Sequence, residues 1–252
     1  MDTSKTSGEI ALVTGSSGEI GFAITSYLRE RGFIVIGVDK DSSPLSQCDF
    51  FVKIDLFDVA TSTKSRDSFF LKIREYLNGQ KINLLVNNAA TQILESFDMT
   101  DIDNYIYSQT VNCAAPLALY RFFEDDLINS NGSTVNIGSV HSILTKKRFG
   151  LYAASKASLR SLTKSLAINN DGAVAIYSIE PAAIETKMLK DGFQNKKEEL
   201  RKLASFHPVG IIGSTVDVAK VVYWLHSSDI KFLHGTSVDL SGGISNLLHD
   251  PF

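Results

Sequence analysis

The stretch Leu12 to Gly21 reads LVTGSSGEIG. A short apolar run ends at Thr14, and three glycines, Gly15, Gly18 and Gly21, follow with the spacing G-x-x-G-x-x-G. Gly15 permits a tight turn and Gly21 lets a helix close onto the strand, while Ser16, Ser17 and Gly18 offer hydroxyls and backbone N–H groups to a pyrophosphate. A helix opening at Glu19 adds unpaired amides and the positive end of its dipole. A plain strand-to-helix turn is the other reading of the same residues.

Working outward, short runs rich in Ile and Val alternate with longer segments of helical period. Strands are predicted at 10–13, 34–38, 82–86, 134–137, 174–179 and 236–240, with a weaker one at 50–54. Helices are predicted at 19–31, 64–78, 101–129, 151–169 and 214–227. Near-continuous apolar strands belong to a parallel sheet covered on both faces. Repeated βα units with no proline- or glycine-rich linker predict one α/β domain over 1–252: a doubly wound, Rossmann-like parallel sheet of seven strands.

Composition narrows the function. A chain of 252 residues with 44% hydrophobic content and a net charge of -3 buries a substantial core. Its richest basic run, Lys146-Lys147-Arg148, is three residues long, so no nucleic-acid partner is expected. No run approaches the roughly 18 apolar residues of a membrane span, and the first ten residues carry no apolar signal core. Two cysteines, Cys48 and Cys113, make neither a disulfide scaffold nor a Cys-rich metal site and fit a reducing compartment, so the protein is expected in the cytoplasm. His207, His226, His234 and His249 form no ligand spacing, and no metal is assigned.

The second strand supports a dinucleotide. Asp39 ends it, 18 residues beyond Gly21, where an acidic side chain accepts hydrogen bonds from the adenine-ribose hydroxyls. A carboxylate there also repels a 2'-phosphate, so NAD is favoured over NADP; a carboxylate merely ending a strand in water is the alternative. Downstream, Tyr152 and Lys156 lie four apart, on one face of a predicted helix. Alone, that pair also reads as a helix with a solvated lysine. Order changes the weighting: NNAA at 87–90 follows a strand, VNCAAP at 111–116 lies in a helix, NIGS at 136–139 ends another strand, and Tyr152 comes 13 residues after Ser139.

In that order and at those distances the chain resembles the compact short-chain dehydrogenase/reductase family over nearly its whole length. Thr14-Gly15, Asp39, Asp55-Leu56, NNAA, Asn112, Ser139, Tyr152, Lys156, PAAIET at 181–186 and VDLSGG at 238–243 carry the resemblance. It implies the strand order 3-2-1-4-5-6-7 and a catalytic set of Asn112, Ser139, Tyr152 and Lys156, with Asn112 ordering a water chain to Lys156. It also implies cofactor contacts from Gly15, Ser17, Gly18, Ile20, Gly21, Asp39, Asp55, Leu56, Asn88, Tyr152, Lys156, Ile184 and Thr186. The chain departs from the family pattern where Glu19 stands in place of a glycine and where Ala90 and Ala182 replace glycines. The glycine spacing is that of longer members acting on nucleotide sugars, so an epimerase or dehydratase is one alternative, and a non-catalytic dinucleotide sensor is another. The interval from Asp39 to Asp55 leaves little room for a full helix.

The chemistry itself asks for these residue types. Interconverting an alcohol and a carbonyl by hydride transfer leaves charge on oxygen and needs a proton donor beside a polarising group. Tyr152 is that donor, and a nearby Lys156 ammonium favours phenolate and should lower the tyrosine's ionisation. Ser139 donates to the substrate oxygen or, alternatively, caps a strand. His141, Lys146 and Arg148 border the substrate space and suit a carboxylate or phosphate; a solvated loop is the plainer reading. The polar segment 187–207, with a helix at 196–203, is expected to form a substrate lid. Small residues on the helix from Leu151, namely Ala154, Ala157, Ser158 and Ser161, with the C-terminal NLLHDPF, lead us to expect a homotetramer or homodimer.

Overall fold

The computed structural model describes residues 8–42, 47–193 and 196–247. Seven parallel strands form one sheet in the order β3-β2-β1-β4-β5-β6-β7. They are β1 Ile10–Thr14, β2 Ile34–Asp39, β3 Phe50–Lys53, β4 Leu84–Asn87, β5 Ser133–Ile137, β6 Ala175–Pro181 and β7 Ser237–Leu240. The order reverses direction between β1 and β4, and in such sheets ligands bind in the crevice beyond the carboxyl ends of the strands at that point.

Alternation along the strands feeds two cores. Ile10 and Leu12 of β1 point to one face, against Phe69 and Ile73 of α3 (Thr63–Leu77) and Leu119 and Phe123 of α5 (Ala115–Asn129). Ala11 and Val13 point to the other, against Ile24 and Leu28 of α1 (Glu19–Arg29) and Val218 and Val222 of α9 (Thr215–Ser227). Each fully buried Leu, Ile or Phe contributes roughly 1.5–3 kcal/mol, so burial on both faces favours central strands that are apolar through most of their length, as β1 and β4 are. Asp126 of α5 is the charged exception on the first face, and it is paired: Arg74 lies 2.6 Å away and Lys81 3.7 Å.

The strands and helices read from periodicity lie within two residues of the observed ones, except in two places. A short helix, α2 (Leu56–Thr61), has no apolar periodicity to announce it; Asp55 creates it by capping the Phe57 amide at 2.9 Å. Among the described residues no helix connects β2 and β3, as the short interval required. The helix expected over 101–129 is broken: α4 (Ile102–Gln109) passes into a π-helical turn, Thr110–Ala114, before α5 begins. Pro116 explains the break. It has no N–H for the Asn112 carbonyl and its ring would collide with that group, so the chain takes an extra residue, with the Ala115 amide bonding back to the Thr110 carbonyl.

The remaining helices are α6 (Gly150–Asn169), which carries Tyr152 and Lys156, α7 (Lys187–Gly192) and α8 (Lys197–Ser205). The last two occupy the segment expected as a lid, and α8 agrees with the helix expected there. His226 bonds Ser133 and Glu9, His234 bonds the Ile176 amide and the Ala167 carbonyl, and His207 bonds the Leu203 carbonyl. His226 and His234 tie elements together, and His207 closes the end of α8; His249 and residues 248–252 of the C-terminal contact segment lie outside the described residues.

Candidate active site

The glycine loop leaves β1 as its spacing requires. Gly15 has φ +65, and a Cβ there would come within 2.8 Å of the Ala89 Cα. A Cβ on Gly21 would sit 2.0 Å from the Gly15 carbonyl oxygen, so only glycine allows α1 to approach this closely. Gly18 differs. It is the N-cap of α1 at an ordinary φ of -76, and a Cβ there would touch nothing closer than 3.5 Å. It therefore gives no steric substitute for the glycine that Glu19 replaces.

The loop's own amides are turned inward, contrary to the expectation that they face a pyrophosphate. Ser16 donates to the Val38 carbonyl, Ser17 to the Asp39 carboxylate at 2.9 Å and Gly18 to the Gly15 carbonyl. The groups that helix geometry leaves for an anion are the first-turn amides of α1, from Glu19 to Gly21, which include Ile20. The Glu19 carboxylate does not cap its own helix; it accepts from the Lys187 amide at the start of α7 and so joins the glycine loop to the lid segment. Thr186 caps the same helix by accepting from the Leu189 amide.

Asp39 braces the turn through two amides, Ser17 on one oxygen and Asp41 on the other. Each carboxylate oxygen retains lone-pair capacity for a ribose hydroxyl. Asn88 fixes the β1–β4 crevice by donating to the Thr14 and Gly15 carbonyls, and the Thr14 hydroxyl accepts from the Asn88 and Ala89 amides. Asp55 spends one oxygen on capping α2 and the other on the Tyr107 hydroxyl at 3.0 Å, a partner that sequence reading missed. Leu56 is buried in the core, and Ile184 is buried beside a parallel bridge to Gly213. Free first-turn amides at the start of α1 and a carboxylate with open lone pairs at the end of β2 fit a dinucleotide; Ile20, Gly21 and Asp39 could hold it, on a turn that Gly15 and Gly21 make possible.

At the other end of the crevice the residues of the expected catalytic set come together. Lys156 is buried, with its ammonium 2.7 Å from the Ile137 carbonyl and 5.6 Å from the Tyr152 ring centre. Burial pushes Lys156 down to about 8, opposed by the charge of Glu180 and by Cys113. Burial pushes the Tyr152 hydroxyl up to about 12; hydrogen bonding with Ser139 draws it back and Glu180 adds to the rise. The expected lowering of Tyr152 by Lys156 does not appear: burial disfavours the phenolate and raises the hydroxyl, and the group that draws it back is Ser139, not the lysine.

Asn112 is not on the helix surface. The π turn drives its side chain inward, where it accepts from the Thr91 amide at 2.8 Å and donates to the Thr91 carbonyl and to the Ser155 hydroxyl at 2.8 Å. It thereby clamps the segment after β4 to the turn of α6 that bears Lys156. His141 lies edge-on to Tyr152 at 5.9 Å and stacks on Phe149 at 4.6 Å, and burial lowers its ionisation. Lys146 sits over the Phe149 ring at 4.3 Å. Arg148 turns to the Leu94 carbonyl and, with Lys146, Lys147 and Glu95, lines a pocket of about 470 Å³. His141 therefore joins Tyr152, while Lys146 and Arg148 stand farther out.

Glu180 was not anticipated. It is 4% exposed on β6, where a charged residue within YSIEP was the only available signal, since buried carboxylates are rare unless partnered. Its partners are the Ser139 amide at 2.8 Å, the Ser142 hydroxyl at 3.0 Å and the Ser178 hydroxyl at 2.7 Å.

With this geometry in hand, the comparisons with known proteins agree on one family. A family model described as enoyl-(acyl carrier protein) reductase matches residues 15–245. An uncharacterized oxidoreductase of Thermotoga maritima is 28% identical, with 94% of this chain and 96% of that protein covered. The 3beta-hydroxysteroid dehydrogenase 1 of Eggerthella lenta is 26% identical, with 94% of each covered. The ligand-free aldohexose dehydrogenase of Thermoplasma acidophilum superposes with a TM-score of 0.86 at 24% identity, covering 99% of both chains, and so shares the fold.

Proposed function

Because the chain belongs to the short-chain dehydrogenase/reductase family, we propose that Tyr152, Ser139, Lys156 and Asn112 carry its reaction. The chain is an NAD(P)-dependent oxidoreductase that interconverts an alcohol and a carbonyl. Bound nicotinamide supplies or accepts the hydride, and this chain's residues supply the rest. Tyr152 gives a proton to the carbonyl oxygen or takes one from the alcohol, Ser139 holds that oxygen, Lys156 holds its ammonium in the crevice, and Asn112 locks the turn that presents it. The observation that carries the assignment is the meeting of Tyr152, Ser139 and Lys156 beyond the end of β5.

NAD is the preferred cofactor in this reading. Asp39 offers its carboxylate where a 2'-phosphate would have to sit, and its fixed hydrogen bonds to Ser17 and Asp41 keep it there. The substrate enters beside His141 and Phe149, with residues 187–207 as its lid and Lys146 and Arg148 farther out. The chain assembles as a homodimer or homotetramer: Ala154, Ala157 and Ser161 are exposed on α6, and Ile102, Tyr105 and Ile106 are exposed on the neighbouring α4. Cys48 and Cys113 as reduced thiols suit the cytoplasm. The epimerase and sensor readings are disfavoured, the first by the matched family and the second by the intact catalytic set.

The test is fluorescence titration with NAD(H) and NADP(H), followed by a panel of secondary alcohols, hydroxysteroids and aldoses monitored by cofactor absorbance. Tighter binding of NAD(H) and turnover of an alcohol are expected. Binding without any alcohol or carbonyl turnover across the panel would favour the sensor.

A further inference from the structure

We propose that Glu180 is a positioning residue of this site, bracing the Ser139 turn from below and standing as the fixed counter-charge of Lys156. The inference rests on the alcohol–carbonyl reading of the site. Its geometry begins with three donors that converge on one buried carboxyl group: the Ser139 amide, the Ser142 hydroxyl and the Ser178 hydroxyl. An ionised carboxylate accepts from all three, whereas a protonated one would have a hydrogen of its own to place among donors. All three are neutral. Asp126, the other carboxylate buried to this degree among the described residues, is met directly by Arg74 and Lys81.

A buried charge with only neutral donors calls for a counter-charge nearby. Lys156 provides it. Its ammonium bonds the Ile137 carbonyl, and the Glu180 carboxylate lies against the next residue, Gly138, where a Cβ would come within 2.3 Å of Oε2. Cation and anion therefore flank one peptide link at the end of β5, and the glycine of NIGS is needed to let the carboxylate in. The following residue is Ser139, whose amide the carboxylate holds and whose hydroxyl accepts from the His141 amide. One side chain thus fixes the backbone that aims Ser139 and biases the charge of the lysine.

Cys113 of the π turn and Tyr152 of α6 face Lys156, and His141 and Lys146 lie beyond the Ser139–Ser142 turn. Asp239 is the register partner of Glu180 on β7, but it is exposed and engaged by Ser245; Arg160 reaches Ser237 on the same strand. The Glu180 charge raises Lys156 against the effect of burial, which keeps the ammonium charged nearer to neutral pH.

The test needs no substrate. Full-length protein labelled with carbon-13 in its lysines is titrated by NMR, and the Lys156 signal is assigned by its loss in Lys156→Met. Glu180→Gln should lower the Lys156 titration midpoint by about one pH unit or more, because the amide keeps the shape and removes the charge. Ser178→Ala, which removes a donor and keeps the charge, should leave the midpoint in place. Thermal unfolding checks that each variant is folded. A folded Glu180→Gln protein with an unmoved Lys156 midpoint overturns the proposal. If the Gln amide hydrogens clash with the Ser139 N–H and prevent folding, Glu180→Ala, which brings no donor, carries the same test. Failure of both to fold would assign Glu180 to structure alone and also overturn it. A wild-type protein without cofactor-linked turnover would instead remove the functional reading, and this titration would still report on the Glu180–Lys156 pair.

Discussion

The two ends of the crevice are made of different materials. At the cofactor end the decisive features are backbone: Gly15 at φ +65, Gly21 pressed against the Gly15 carbonyl, and the first-turn amides of α1. At the acid–base end they are buried side chains drawn from the π turn, β5, β6 and α6. Backbone constraints restrict residue type locally and so leave a regular spacing. Buried polar side chains must satisfy one another across long sequence separations, and their environment sets their ionisation.

Three measurements would break or sharpen this contrast. The largest effect is expected from Tyr152→Phe, which removes one hydroxyl at the acid–base end. Turnover should fall by at least about 10²–10⁴-fold while NAD(H) affinity stays nearly unchanged. Near-normal turnover in that variant would mean that the proton moves elsewhere. With the wild type, reduction should persist through neutral pH because burial keeps the hydroxyl protonated, and oxidation should speed up as pH rises toward the tyrosine's ionisation.

Next in size is the effect of Lys156 on stability. Burial brings its ionisation down to about 8 in the fold, against an ordinary 10.5. Between those values the unfolded chain binds the extra proton, so this lysine makes stability rise as pH climbs through that window and costs most below it. Lys156→Met should therefore abolish turnover yet gain about 1–2 kcal/mol at pH 7, the relief of charge burial being partly offset by the orphaned Ile137 carbonyl. The gain should vanish by about pH 10, the upper end of the same window. Urea midpoints at both pH values decide this; equal differences at the two would show that the lysine is buried without electrostatic cost.

The smallest effect belongs to the cofactor end. Asp39→Ala should weaken NAD(H) binding and relax discrimination against NADP(H) by about tenfold, the loss of roughly 1.4 kcal/mol of preference. It should leave the turnover number with saturating NAD close to normal. An unchanged preference ratio would move cofactor selection to another residue, with the adjoining Lys40 the first to test.

Sequence by itself determined the βα alternation, the seven strands, the glycine turn, Asp39 and the Tyr152–Lys156 pair. Each is a short-range pattern: a period of two or 3.6, a turn that excludes a Cβ, or two side chains one helical turn apart. The tertiary structure decided the rest. It turned the Ser16–Gly18 amides inward, sent Glu19 across to the Lys187 amide, and put Tyr107 on Asp55. It placed Asn112 inside, because Pro116 forces a π turn that simple helical periodicity cannot register. It also seated Glu180 beneath Ser139, across 41 residues of chain. Burial is the physical reason for the division. A desolvated polar group must find its partner wherever folding places one, and that partner's identity is set by the packing of distant elements and not by the residues on either side.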